Sequence, residues 1–269
     1  RDAAQEKLPD ASRPIIDLFQ AESGAELAFA EYLLRPVFER FSPFISKNIN
    51  EQLEKRILGP YLNQHFWWMG NDDEPMCNWT PWIVQNVLLA VLTRAADDSA
   101  IDGAARLRFL EQAAVSLDFF LDEYGEDGCC DEGAQYYGHA ALTLFQSLDL
   151  MERALGSSAW ASELGASCGA MDAVFQDRRV YNLADYIRKV HVAGPYYLNF
   201  ADCSPLPGRR GAREYLFGRR TGNRALMGFA AADFKEASAA ERLLPEEINL
   251  YDRLQQLFTA DAMCREAES

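Results

Sequence analysis

No run of about 18 consecutive apolar residues occurs in this chain, so nothing in it reads as a membrane-spanning helix. The first residues, RDAAQEKLPD, lack the apolar stretch of a signal peptide. A mature, processed chain would begin the same way, so the expected compartment is cytoplasmic, with a periplasmic or secreted one if a leader was removed. Basic charge is scarce: 26 Lys and Arg stand against 41 Asp and Glu, a net charge of −15. General nucleic-acid binding needs a basic footprint and is therefore not expected. No CxxC pair and no metal-finger spacing links Cys77, Cys129, Cys130, Cys168, Cys203 and Cys264. Reduced thiols are the plain reading. Neither a metal nor a cofactor is called for.

Strand-like alternation is also scarce, and GPYYLNF at 194–200 is its best example. What the chain does have is helical periodicity, with apolar residues at three- and four-residue spacing over 25–41, 83–97, 104–124 and 136–155. Weaker stretches lie near 158–176, 181–192, 222–236 and 245–258. Thr80 and Pro81 open the second helix, with proline at an early position where its missing N–H costs nothing. Helices of this length joined by short turns such as DDSAIDG read as antiparallel hairpins. No strict repeat supports a regular solenoid. The expected fold is all-α, a toroid of helix hairpins forming one domain over residues 1–269, complete or partial. Alternating helix direction would bring Asn78, before the second helix, to the same end as the turn 125–135.

Three segments carry candidate chemistry. HFWWMGNDDEPMCNWTPW, residues 65–82, holds Trp67, Trp68, Trp79 and Trp82. Its Gly, Pro, Asn and acids suit a loop, so the tryptophans form either a platform for flat sugar faces or a packed plug. DGCCDEGAQYYGHA, residues 127–140, places Tyr136, Tyr137 and His139 where an acidic glycine turn becomes a helix. GRRGAREYLFGRR is the basic cluster of an acidic chain, with Arg209, Arg210, Arg213, Arg219 and Arg220. It reads as a patch that attracts a polyanion or as a solvated loop.

WWMG, NWTPW, DGCCDEGAQYYGHA and HVAGPYYLNFADCS, in that order over residues 65–204, together resemble the N-terminal helical toroid of the heparinase II/III family of polysaccharide lyases. The resemblance implies cleavage of a uronic-acid polysaccharide by β-elimination. It also implies a β-sandwich domain following the toroid, for which no strand-rich half is visible after residue 204. The chain is thus expected to be the N-terminal part of a longer two-domain lyase, with an acidic polysaccharide or oligosaccharide and that sandwich as partners.

β-Elimination removes the proton beside a carboxylate and expels the neighbouring oxygen. One group must neutralise the carboxylate, one must take the proton and one must protonate the leaving oxygen. By the resemblance, Tyr136 stands at the catalytic tyrosine and Asn78 at the asparagine facing the carboxylate. Alginate-type relatives follow that asparagine with histidine; this chain has Trp79. His139, three residues after Tyr136, is a substitute base or tyrosine partner, or else a hydrogen-bonded structural histidine. Glu132 and Asp131 cap the helix or position the tyrosine. Glu132, Tyr137, Asn199, Asp202, Arg209 and Arg210 join the four tryptophans as substrate-binding candidates. His65 and His191 are weaker ones. Two other readings stand beside the lyase. One is a carbohydrate-binding toroid without catalysis, and the other an (α/α) glycoside hydrolase whose two carboxylates come from Asp131/Glu132 and Asp72/Asp73/Glu74.

Overall fold

The computed structural model describes residues 14–71, 73–95, 101, 103–156, 169–209, 211–243 and 249–268. Among them the protein is all-α apart from one two-stranded ribbon. No described helix is long and apolar enough to cross a membrane. Contacts divide the chain into two compact units, residues 1–120 with 149–166, and residues 121–148 with 167–269.

The first unit opens with α1 (Leu18–Phe41), whose start is capped by Asp17 accepting the Gln20 N–H at 2.8 Å. Ser42 closes it with a backbone bond to Phe38 O. Its hydroxyl then accepts the Phe44 N–H to start α2 (Pro43–Leu53), with Pro43 in the first turn. The chain continues through a π-helical turn at Glu54–Leu58 into α3 (Gly59–Asn63). This stretch is not among the expected helices, although Ile45, Ile49, Leu53 and Ile57 recur at four-residue spacing. Helix α1 packs on α2 and on α4 (Trp79–Ala95) through small residues, Ala21, Gly24, Ala25 and Ala28. A Cβ on Gly24 would lie 2.2 Å from Ile57 Cδ1, so a larger residue there would have to push that methyl group aside. Helix α4 is buried on nearly every side, by Ile83, Val84, Val87, Leu88, Leu89 and Val91 and also by the polar Gln85 and Asn86. It starts two residues before the expected Pro81. Helix α5 (Gly103–Glu123) follows the expected 104–124 closely.

Helix α6 (Tyr137–Gly156) contributes its residues up to Leu148 to the second unit. The second unit also contains α7 (Gly169–Gln176), α8 (Arg178–Lys189), the ribbon β1 (His191–Ala193) with β2 (Tyr196–Tyr197), α9 (Ala212–Thr221), α10 (Arg224–Glu236), α11 (Ala239–Leu243) and α12 (Leu250–Glu266). The expected helix 158–176 lies partly outside the described residues. The expected strand 194–200 shrinks to Tyr196–Tyr197, antiparallel to β1. Most of the arginine-rich segment, read either as a polyanion-attracting patch or as a solvated loop, forms α9. Its apolar residues Tyr215, Leu216 and Phe217 are buried, and Phe217 stacks on Phe145 of α6 at 4.9 Å. Burying two such rings contributes about 1.5–3 kcal/mol each. Asn223 caps α10 by accepting the Leu226 N–H, while its side-chain amide donates to Asp185 of α8 at 2.9 Å.

Candidate functional site

In the second unit the turn 125–136 is clamped from both sides. Gly128 has φ 75°, and a Cβ there would fall 2.3 Å from the backbone carbon of Asn182. The Asn182 side chain donates to Glu126 O at 2.6 Å. Gly133 has φ 86° and lies against Cys203. Gln135 completes the clamp. Its N–H meets Cys203 Sγ at 3.3 Å, and its side-chain oxygen accepts the Ser204 N–H at 3.0 Å. The motifs DGCCDEGAQYY and NFADCS, over sixty residues apart, are therefore stitched together. Gln135 and Cys203 were missed as positioning residues, although each lies inside a motif that carried the family resemblance.

This clamp separates the two tyrosines. Tyr137 is fully buried, and its hydroxyl donates to Ala184 O at 3.1 Å. It is a core residue, which removes it from the groups able to touch a ligand. Tyr136 is half-buried, with its ring 5.9 Å from the half-buried His139 ring. The expected pairing of Tyr136 with His139 follows from the first turn of α6, where Tyr136 O accepts the His139 and Ala140 N–H groups at 3.0 and 2.9 Å.

Glu132 borders this pair. Burial pushes its carboxyl above the ordinary value of 4.5. The nearby Asp202 carboxylate raises it further, and His139 opposes the rise. The Gln135 and Gly133 contacts to Cys203 and Ser204 likewise hold Asp202, their chain neighbour, next to this turn. Asn199 is exposed in the same 198–204 segment. Beneath lies a group of phenols and thiols. Tyr186 donates to Cys130 O at 3.4 Å, and burial pushes the Cys130 thiol up to about 11. Its thiol is therefore protonated at neutral pH. Among the described residues no cluster of three or more His, Cys, Asp or Glu could hold a metal ion.

The arginines do not form the expected patch. Arg209 pairs with Asp233 and, at 3.4 Å, with Glu241. Arg213 is buried, 3.9 Å from Asp252 and donating to Gly138 O at 3.3 Å. Arg220 pairs with Asp172 at 3.3 Å and covers the Phe175 ring. Their charge is spent on carboxylates of their own unit: α9 turns Arg213 and Arg220 toward neighbouring helices, and Arg209, just before α9, reaches α10 and α11. Arg219 is exposed, and Arg210 lies outside the described residues.

The first unit holds the remaining candidates. Trp68 is a plug: it is buried, its indole N–H donates to Ile16 O at 3.0 Å, and its carbonyl accepts the Thr80 hydroxyl at 2.7 Å. Phe66 stacks on it at 5.6 Å. This corrects the platform reading for Trp68. Trp67 and Trp79 are half-buried and meet at 5.2 Å, and Trp82 is half-buried too. Asn78 is buried directly before α4, its carbonyl accepting the Trp82 N–H at 3.2 Å, a helix-start position that also favours asparagine. His65 is exposed. His191, expected to end a helix, instead begins β1, with its ring nitrogen 2.8 Å from Gly194 O. Asp72 lies outside the described residues. No protein-family model matches the chain, and no curated protein matches it.

Proposed function

We propose that the chain is the helical toroid portion of a polysaccharide lyase of the heparinase II/III type, acting on a uronic-acid-containing glycan by β-elimination. The observation that carries this reading is the divergence of two adjacent tyrosines. Tyr137 is spent in the core, while the clamped glycine turn leaves Tyr136 half-buried beside His139. Tyr136 gives the leaving oxygen its proton, and His139 exchanges a proton with the tyrosine or takes the sugar proton itself. The second reading, a glycoside hydrolase, is favoured by one feature. Glu132, its carboxyl raised by burial and then by Asp202, has a second carboxyl close by, and hydrolysis needs two.

The test offers uronate polysaccharides to the chain and follows the absorbance of the new carbon–carbon double bond alongside reducing ends. Tyr136→Phe removes only a hydroxyl and is expected to lower the rate about 10²–10⁴-fold. Tyr137→Phe is expected to keep most of it. Reducing ends without absorbance, lost in Glu132→Gln, would establish the hydrolase instead. Lyase activity undiminished in Tyr136→Phe would overturn the assigned role of the tyrosine.

A further inference from the structure

Helix α1 is built inside out for a monomer. The face it turns to the core carries Ala21, Gly24, Ala25, Ala28 and Glu31. Its large apolar residues stand on the opposite side, where Phe19, Leu27, Leu33, Leu34, Val37 and Phe41 are all exposed, the two phenylalanines by 78% and 80%. At 3.6 residues per turn, Phe19, Leu33 and Val37 lie close to half a turn around from Ala28. With Phe44 just past the helix end, these side chains expose on the order of 800 Å² between them, about 500 Å² of it on Leu27, Leu33, Leu34, Val37 and Phe41, taking ~150–250 Å² for each fully exposed aromatic. A monomer's largest apolar patch is typically ~300–600 Å². One partner in a standard interface buries about 800 Å².

The pattern on this face is a helix–helix seam. Leu27, Leu34 and Phe41 recur every seventh residue, and Ala30 and Val37 follow the first two at a spacing of three. Along one margin run Glu26, Leu33 and Arg40, again at seven-residue spacing. That margin is complementary to itself only when reversed. Turned end for end about Leu33, Glu26 meets Arg40 and Arg40 meets Glu26. A parallel pairing would instead set glutamate against glutamate and arginine against arginine.

We propose that a second copy of this chain docks on this face, with the two α1 helices antiparallel about a two-fold axis at Leu33. Leu33 faces its own mate across the axis. Leu27, Leu34, Val37 and Phe41 interleave beside it, and the two Glu26–Arg40 pairs close the margin. The contact is isologous, so it stops at a dimer. It does not depend on the catalytic reading, because it uses no residue of the candidate site.

Sedimentation velocity on the full chain tests this across micromolar concentrations at moderate salt. The chain is expected to be a dimer, and Leu34→Glu a folded monomer by circular dichroism. Glu26→Arg or Arg40→Glu alone turns two attractive pairs into two repulsive ones and is expected to weaken dimerisation about tenfold. The two together restore opposite charges and are expected to recover it. A wild-type monomer throughout the range would overturn the proposal and leave the face to another partner. So would single charge reversals that leave the dimer intact, or a double reversal that fails to rescue it.

Discussion

Replacing Gly128 by alanine adds one methyl group at the point where the turn 125–136 crosses α8. Two costs arise, and both can be worked from the structure. The backbone sits at φ 75°, in the left-handed region, where an L side chain costs roughly 1–2 kcal/mol. The new Cβ would also lie 2.3 Å from Asn182 C and 2.4 Å from Leu183 N. Carbon atoms rest at about 3.5–4.0 Å, and these neighbours are helix backbone, not the end of a flexible side chain. Shifting turn or helix to make room costs about 1–3 kcal/mol more. The expected loss is therefore about 2–5 kcal/mol, a large part of the 5–15 kcal/mol typical of a folded domain. Two other glycines calibrate it. Gly222 has φ 71° with nothing within 4 Å of a Cβ, so Gly222→Ala carries only the conformational cost. Gly228 is exposed inside α10 with open space around it, so Gly228→Ala is expected to stabilise by up to ~1 kcal/mol. Urea unfolding followed by far-ultraviolet circular dichroism measures all three. At a slope of roughly 3 kcal/mol/M the Gly128 variant loses close to 1 M in midpoint. The reasoning fails if Gly128→Ala unfolds no earlier than Gly222→Ala.

Glu132 gives a pH signature. Its folded carboxyl holds a proton to higher pH than the unfolded one, so its contribution is fully present below pH 4.5 and is lost as pH rises through the folded value. Glu132→Gln removes that loss, so the variant should gain on wild type in urea midpoint between about pH 4 and pH 7; a difference independent of pH would refute it. Arg213 and Asp252 are buried together, and Gln146 also donates to Asp252. Arg213→Leu is expected to cost about 3–5 kcal/mol by stranding the carboxylate, and adding Asp252→Leu to recover part of it. Strictly additive losses in urea unfolding would show that the two do not act as a pair.

The all-α class and the long helices were legible in the sequence because a buried helix writes its period into the chain. Helices α4, α5 and α6 began and ended within a few residues of expectation, and the glycine turn before Tyr136 was visible in its acids and glycines. Helices α2 and α9 were not, since their cores are short and their residues mostly polar; only packing against α1 in one case and α10 and α12 in the other makes them helical. For the same reason the arginines read as a charged patch. Sequence records that charge is present, but the direction in which α9 turns decides that Arg213 and Arg220 meet carboxylates of their own unit, as the path of the chain just before α9 does for Arg209. Trp67 and Trp68 are identical letters side by side, as are Tyr136 and Tyr137. Which of each pair is core depends on a hydrogen-bond partner far along the chain, Ile16 O for one and Ala184 O for the other. A buried polar group must find such a partner, and the partner is chosen by tertiary structure alone.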